Sequence, residues 1–107
     1  MKITRLYTGK DGHSHFEQIE VEIGKIQPGE GIIFREELPG HVQDWHPAPR
    51  RQYVITLSGQ GEIELGDGTK RRFGPGDVML ADDTTGRGHI TRVVSSERRR
   101  YVMIPVK

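Results

Sequence analysis

Two histidines occupy positions from which an imidazole can act on a bound ligand. The chain has five histidines and no cysteine in 107 residues, which excludes thiolate metal sites, disulfides and cysteine nucleophiles. His46 lies between Trp45 and Pro47 in a loop that runs into a strand, and His89 follows the glycine-containing stretch 82–88. Because histidine titrates near neutral pH, either ring is a candidate general acid, general base or metal ligand. The alternative for His46 is a loop side chain with one backbone hydrogen bond.

Gln52 opens a strand-like run shortly after His46. Alternation puts Gln52, Val54 and Thr56 on one face of the strand. Tyr53, Ile55 and Leu57 are on the other. An inward Gln52 needs hydrogen-bond partners, since a buried unpaired amide costs about 1–3 kcal/mol. If the Tyr53 face is inward instead, Gln52 is solvated. The pattern alone leaves both orientations open.

Arginines just before this run are candidate anchors for an anion. Arg50 and Arg51 are adjacent, so in an extended segment only one of them points into a cavity. A guanidinium at a cavity mouth holds a carboxylate or phosphate through two hydrogen bonds. We predict substrate contacts from Arg50 and Tyr53, while a solvated or interfacial arginine explains the same sequence equally well.

Trp45 and Asp82 complete the candidate site. Trp45, the only tryptophan, lies beside His46 and is expected either to cover the pocket as a substrate contact or to pack at an interface. Asp82 begins the loop before His89 and is a candidate general acid or base there. Its alternative role is to form the turn, because aspartate bonds back to its own backbone.

Two further clusters have simpler explanations. His13 and His15 share one strand face by alternation, but they follow an Asp-Gly turn, so we expect an exposed hairpin edge there. The three arginines at 98–100 are expected to be a solvated strand edge that discourages pairing with another sheet.

Short strands must position these side chains. Fourteen glycines and six prolines divide the chain into short runs rich in Val, Ile, Phe, Tyr and Thr, and no window has apolar residues at helical spacing. Runs in which apolar and polar residues alternate, separated by turns roughly every eight to twelve residues, are typical of an antiparallel sandwich or barrel. We predict an all-β fold of eight or nine strands in a single domain, residues 1–107, with irregular stretches at 37–49 and 82–88.

Charge and hydropathy limit the partners. With 16 basic and 15 acidic residues the net charge is +1, which lacks the clustered basic excess of a nucleic-acid-binding protein. No apolar run approaches the roughly 20 residues of a membrane span, and the first residues lack the apolar stretch of a signal peptide. We therefore expect a cytoplasmic protein whose partner is a small molecule, without nucleic-acid or membrane partners.

About half of the chain, residues 40–94, resembles the two motifs of the cupin superfamily. The resemblance implies an antiparallel jelly-roll barrel that encloses one small-ligand pocket, and it implies a homodimer. The matching positions are Gly40, His46 and Gly59 in the first motif and Pro75, Gly76, Asp77 and His89 in the second.

The cupin family commonly holds a divalent metal inside the barrel. The resemblance implies His46, Gln52 and His89 as its ligands here, with Mn, Fe, Ni or Zn as the ion. The chain departs from the family pattern because Gln52 replaces a glutamate, and Ala48, or Pro47 with a longer gap, stands where the family has a second histidine. Two imidazoles and a neutral amide hold a divalent ion less tightly than three imidazoles and a carboxylate. The same register places Gln52 on the inward face.

Two functions from different classes follow. The first is a cupin-type enzyme (isomerase, lyase, cyclase or dioxygenase) that acts on a small anionic substrate, with His46 and His89 as weak metal ligands or as acid and base. The second is a non-catalytic module that binds a small ligand in the same pocket and has lost the metal. A third possibility is a structural dimer whose barrel interior is filled by side chains.

Overall fold

Ten β-strands and no helix build the fold in the computed structural model, which describes residues 1–107. No helix long and apolar enough to cross a membrane is present. The all-β prediction is confirmed. The strands are β1 (Lys2–Thr8), β2 (Ser14–Glu20), β3 (Ile33–Glu37), β4 (Val42–His46), β5 (Gln52–Ser58), β6 (Gly61–Glu64), β7 (Lys70–Phe73), β8 (Val78–Asp82), β9 (His89–Val93) and β10 (Arg99–Pro105).

The strand count exceeds the predicted eight or nine, partly because the stretch 37–49 contains β4. That stretch has no run of alternating apolar residues, and the first three residues of β4 are exposed. Backbone pairing with β9 holds β4 in place. Hydrophobic periodicity could not detect a strand whose position depends on its ladder rather than on buried side chains.

The strands form two sheets that enclose one core. The order is β2-β1-β8-β5-β10-β3 in the six-stranded sheet and β4-β9-β6-β7 in the four-stranded sheet. Neighbouring strands are antiparallel except β1 and β8, which run parallel. Apolar side chains from both sheets meet in a single cluster. Its members are Leu6, Ala48, Val54, Ile63, Leu65, Phe73, Met79 and Ala81.

Alternation along β5 carries polar side chains into the barrel. Gln52, Val54 and Thr56 are buried, whereas Tyr53 is partly exposed and Leu57 is exposed. The inward orientation of Gln52 implied by the cupin resemblance is therefore confirmed. An amide that is 3% exposed must find its partners inside the barrel, which is where the candidate site lies.

Candidate functional site

His46 and His89 lie opposite each other on the paired strands β4 and β9. Their ring centroids are 4.4 Å apart, with 57° between the ring planes. His89 is buried and His46 is half-buried. Both line one cavity of about 130 Å³. The structure thus brings together the two imidazoles that the sequence analysis singled out.

Gly88 permits the close approach of the loop before His89 to the end of β4. Its φ of +79° lies in the left-handed region, which costs a residue with a Cβ roughly 1–2 kcal/mol. A Cβ at this position would also overlap the carbonyl group of His46. Only glycine allows the backbone to pass here, so Gly88 helps to set the distance between the two rings.

Asp83 holds the ring of His89 in place. Its Oδ2 accepts hydrogen bonds from His89 Nδ1 over 2.5 Å and from Ser14 Oγ over 2.6 Å. The residue is fully buried, and its Oδ1 has no protein partner. Because a carboxylate only accepts hydrogen bonds, His89 carries a proton on Nδ1, and Nε2 is left for a ligand. Asp83 is a candidate site residue that the sequence analysis missed.

A backbone carbonyl orients His46 in the same way. His46 Nδ1 donates to the carbonyl oxygen of Asp44 over 2.7 Å, so Nε2 of the neutral ring can accept a proton. Burial lowers the pKa of His46 below its ordinary value of 6.5. The bond to Asp44 and the charge of Asp83 oppose this shift, and His89 adds to it. A ring that is neutral at neutral pH is suited to act as a general base.

The lowered pKa of His46 predicts that acid weakens the fold partly through this ring. The unfolded chain takes up the proton near pH 6.5, whereas the folded protein takes it up only at lower pH. The stability contributed by the neutral ring is therefore complete above pH 6.5 and is lost as the pH falls to the folded-state pKa. Urea unfolding across this range should show a shallower loss of stability in His46→Gln than in the parent protein. Equal pH slopes would contradict the assignment.

Gln52 lines the cavity, but both ends of its amide are engaged. Nε2 donates to Met103 Sδ over 3.2 Å, and Oε1 accepts from Arg50 Nη1 over 3.2 Å. No group of three His, Cys, Asp or Glu side chains is placed to hold a metal ion. A divalent ion would have His46, His89 and an oxygen that already faces a guanidinium. This donor set does not fit the metal that the cupin resemblance implies.

Two predicted site residues point away from the cavity. Asp82 forms ion pairs with Arg5 over 2.8 Å and with Arg51 over 3.4 Å. Tyr53 donates its hydroxyl to Gln27 on the outer side of β5. The structure brings neither Asp82 nor Tyr53 to the imidazoles, because each follows an inward residue on its strand and alternation turns it outward.

The remaining predicted contacts lie at or beyond the cavity rim. Trp45 packs beneath Arg87, whose guanidinium carbon lies 4.6 Å from the ring centre, and it does not line the cavity. Arg50 is exposed and reaches the cavity only through its bond to the Gln52 amide. His15, from the second histidine pair, bonds to the exposed Asp11 over 3.0 Å. That pair stays outside the site.

Arg99 lines the cavity, so the expectation of a wholly solvated edge at 98–100 is wrong for this residue. Arg99 is 6% exposed, and its guanidinium carbon lies 4.1 Å from the centre of the Tyr101 ring. Only Nη2 donates a hydrogen bond, to Thr56 Oγ1 over 3.1 Å, and Nε has no partner. The sequence did contain a signal for this orientation, because Arg99, Tyr101 and Met103 are spaced two residues apart along β10 and therefore share one face of the strand.

The positive charge of Arg99 has no ion-pair partner. Its neighbours Arg98 and Arg100 contact the carboxylate of Glu36 over 3.5 and 3.0 Å, whereas no carboxylate lies within ion-pair distance of Arg99. Burial lowers the pKa of Arg99, whereas Tyr101 and the charge of Glu37 oppose this shift, and the guanidinium stays protonated. Leaving a buried charge unpaired costs about 3–5 kcal/mol. Arg99 is therefore a candidate ligand contact in this cavity.

Comparison with known proteins identifies the fold. No family model matches the sequence, and no curated protein matches it. Among solved structures, a cupin 2 conserved barrel domain protein from Salinispora arenicola superposes with a TM-score of 0.59 at 17% identity, covering 81% of this chain and 71% of that one. A conserved protein with a double-stranded β-helix domain from Klebsiella pneumoniae gives 0.56 at 19% identity, covering 82% of each chain.

A third solved structure agrees with these two. The cupin domain of Schizosaccharomyces pombe Cnp3 superposes with a TM-score of 0.57 at 14% identity, covering 88% of this chain and 73% of that one. These similarities show a shared fold, and the two sheets of this chain are those of a jelly-roll barrel. The chain is a small protein with the cupin fold.

Proposed function

We propose that the protein is a cupin-type enzyme that moves a proton within a small anionic molecule, as an isomerase or a lyase does. The observation that carries the proposal is the pair of imidazoles, His46 and His89, 4.4 Å apart in one cavity. Each ring has Nδ1 engaged in a hydrogen bond, which leaves Nε2 to face a ligand. Two such groups can remove a proton at one atom of a ligand and supply one at another.

The surroundings of the two rings divide the work between them. His46, kept neutral by burial, accepts the proton of the ligand at Nε2. His89 supplies a proton from its own Nε2, and the carboxylate of Asp83 stabilises the positive charge that this ring carries before the transfer. Exchange with water at the cavity mouth then returns both rings to their starting states. No step needs a metal ion.

A non-catalytic binding module is the second candidate. Ala48 and Gln52 stand where the cupin resemblance implies a histidine and a glutamate, and this loss of metal ligands favours it. The cavity would then hold its ligand without changing it. The two functions differ in one observable, because a binding module leaves the C–H bonds of its ligand intact.

Solvent exchange tests the enzymatic proposal. Small carboxylic acids with an acidic C–H bond, such as oxo and hydroxy acids, are incubated with the protein in D₂O and a chelator, and the C–H signal is followed by proton NMR. The parent protein should remove that signal from at least one acid. His46→Gln and His89→Gln should each slow the loss by about 10²–10⁴-fold. His41→Gln changes an exposed ring outside the cavity and should exchange at the parent rate.

Two results would contradict the acid–base roles. Exchange that is equally fast in both cavity-histidine variants would remove the imidazoles from the reaction. Binding of an acid without exchange of any C–H bond across the panel would favour the binding module instead. We further propose a homodimer, as the cupin resemblance implies, in the cytoplasm. The net charge of +1, without a clustered basic excess, favours a protein that binds neither nucleic acid nor an anionic membrane surface.

A further inference from the structure

We propose that Arg99 anchors the ligand, and that the ligand is a small monocarboxylate with a short apolar body. The inference rests on the proposed function for the choice of cavity. It does not rest on the chemistry, because the anchor would hold a carboxylate whether or not a proton is then transferred.

Arg99 presents unused hydrogen-bond donors at the cavity. It is 6% exposed, its Nε has no partner, and its one hydrogen bond runs from Nη2 to Thr56 Oγ1. A guanidinium has five N–H donors in one plane, and their spacing matches the two oxygens of a carboxylate. Arginine is rarely buried without a partner. A carboxylate in the cavity would supply both the missing charge and the missing acceptors.

The charges around the cavity select a monoanion. Arg99 is the only buried arginine or lysine in the lining, and the second arginine, Arg35, is exposed. Glu37 lies close by and accepts a hydrogen bond from the Tyr101 hydroxyl over 3.3 Å. One buried positive charge balances one negative charge, and a nearby carboxylate would repel a second. A carboxylate therefore fits better than a phosphate dianion.

The length of the cavity sets the size of the ligand. The Arg99 side chain lies over Gly61, which pairs with Val93, and His89 is at the other end of β9. That length of strand spans about 13 Å. After about 3 Å is subtracted for a hydrogen bond at each end, about 7 Å remain for the ligand, or roughly six chain atoms.

The wall between the two ends is mainly apolar. Its polar side chains include Thr91 and Gln52, and the Gln52 amide is already hydrogen-bonded at both ends, so most of the wall favours an apolar ligand body. The apolar side chains of this wall are Val54, Ile63, Met79, Ala81 and Met103.

Calorimetric titration with hexanoate and hexanamide tests the anchor, since the two have the same size and differ in charge. The parent protein should bind hexanoate at least about tenfold more tightly than hexanamide. Arg99→Met should lose about 10- to 100-fold in hexanoate affinity. The matched control is Arg98→Met, which removes the adjacent exposed arginine that contacts Glu36 and should bind as the parent does.

A second variant keeps the charge and moves it. A Cβ at Gly61 would lie 2.7 Å from Nε and 2.8 Å from Cζ of Arg99, so Gly61→Ala displaces the guanidinium without removing it. This variant should also weaken hexanoate binding, and it tests the anchor if Arg99→Met does not fold.

Several results would overturn the inference. These are no binding of hexanoate to the parent protein, equal affinity for hexanamide, parent-like binding by Arg99→Met, or displacement of hexanoate by inorganic phosphate at comparable affinity. His46→Gln and His89→Gln separate the anchor from the proposed reaction. Both should retain most of the hexanoate affinity, in which case the anchor stands even if no exchange is observed. A loss as large as that in Arg99→Met would place the carboxylate at the imidazoles instead.

Discussion

Replacing Asp83 with asparagine should slow proton transfer by on the order of 10³-fold and leave the protein folded. The amide has the same shape and retains an oxygen that can accept from His89 Nδ1 and Ser14 Oγ. It lacks the negative charge that stabilises a protonated His89 ring, which sits 2.5 Å from the carboxylate. The exchange rate in D₂O measures the loss.

A spectroscopic readout separates this role from a structural one. The short hydrogen bond to Asp83 should give the His89 Nδ1 proton a far-downfield NMR signal, which should move upfield in Asp83→Asn. The matched control is Asp82→Asn, which makes the same change at the preceding residue, whose carboxylate pairs with Arg5 and Arg51. It should keep both the rate and the signal. A rate within twofold of the parent in Asp83→Asn would remove Asp83 from the mechanism.

Replacing Gly88 with alanine should lower the free energy of unfolding by about 2–5 kcal/mol and separate the two imidazoles. The new Cβ meets two penalties. It occupies a left-handed backbone conformation, and it overlaps the carbonyl group of His46. Since that overlap can be relieved only by moving β4 away from the loop before His89, the cavity should open and binding of small acids should weaken. Urea unfolding and calorimetric titration measure the two effects.

Gly68→Ala is the matched control for the overlap. Gly68 also has a positive φ, +86°, but a Cβ there would have no neighbour within 4 Å. Its substitution should cost only the roughly 1–2 kcal/mol of the backbone conformation. The difference between the two variants isolates the contact with His46. If both lose the same stability, the approach of Gly88 to β4 does not hold the site together.

The fold could be predicted from the sequence because its determinants are local. Glycine- and proline-rich turns separate short alternating runs, and β5 alternates as expected. Alternation left both orientations of β5 open, and it was the register of the cupin motif that placed Gln52 inside. The strand β4 escaped prediction because its pairing with β9, a non-local interaction, holds it. Periodicity within one segment does not report such pairing.

The candidate site was predicted in part, and the failures came from single steps of alternation. His46 and His89 occupy motif positions and meet in the cavity. The sequence predicts a role for Asp82, yet Asp82 is the last residue of β8 and turns outward, whereas the next residue, Asp83, turns inward to His89. Arg99 was hidden in a run of arginines, where two of the three are solvated. A shift of one residue exchanges the inner and outer faces of a strand, and sequence alone does not locate the strand ends that well.

The central claim is that the two imidazoles face one ligand with their Nε2 atoms, without a metal between them. A long-range proton–nitrogen correlation spectrum of the parent protein at neutral pH, in chelator, tests it most directly. We expect His46 to be neutral with its proton on Nδ1, His89 to carry a proton on Nδ1, and cross-relaxation between the ring protons of the two residues. A neutral ring of either residue protonated on Nε2 alone, or no cross-relaxation between the rings, would contradict the account.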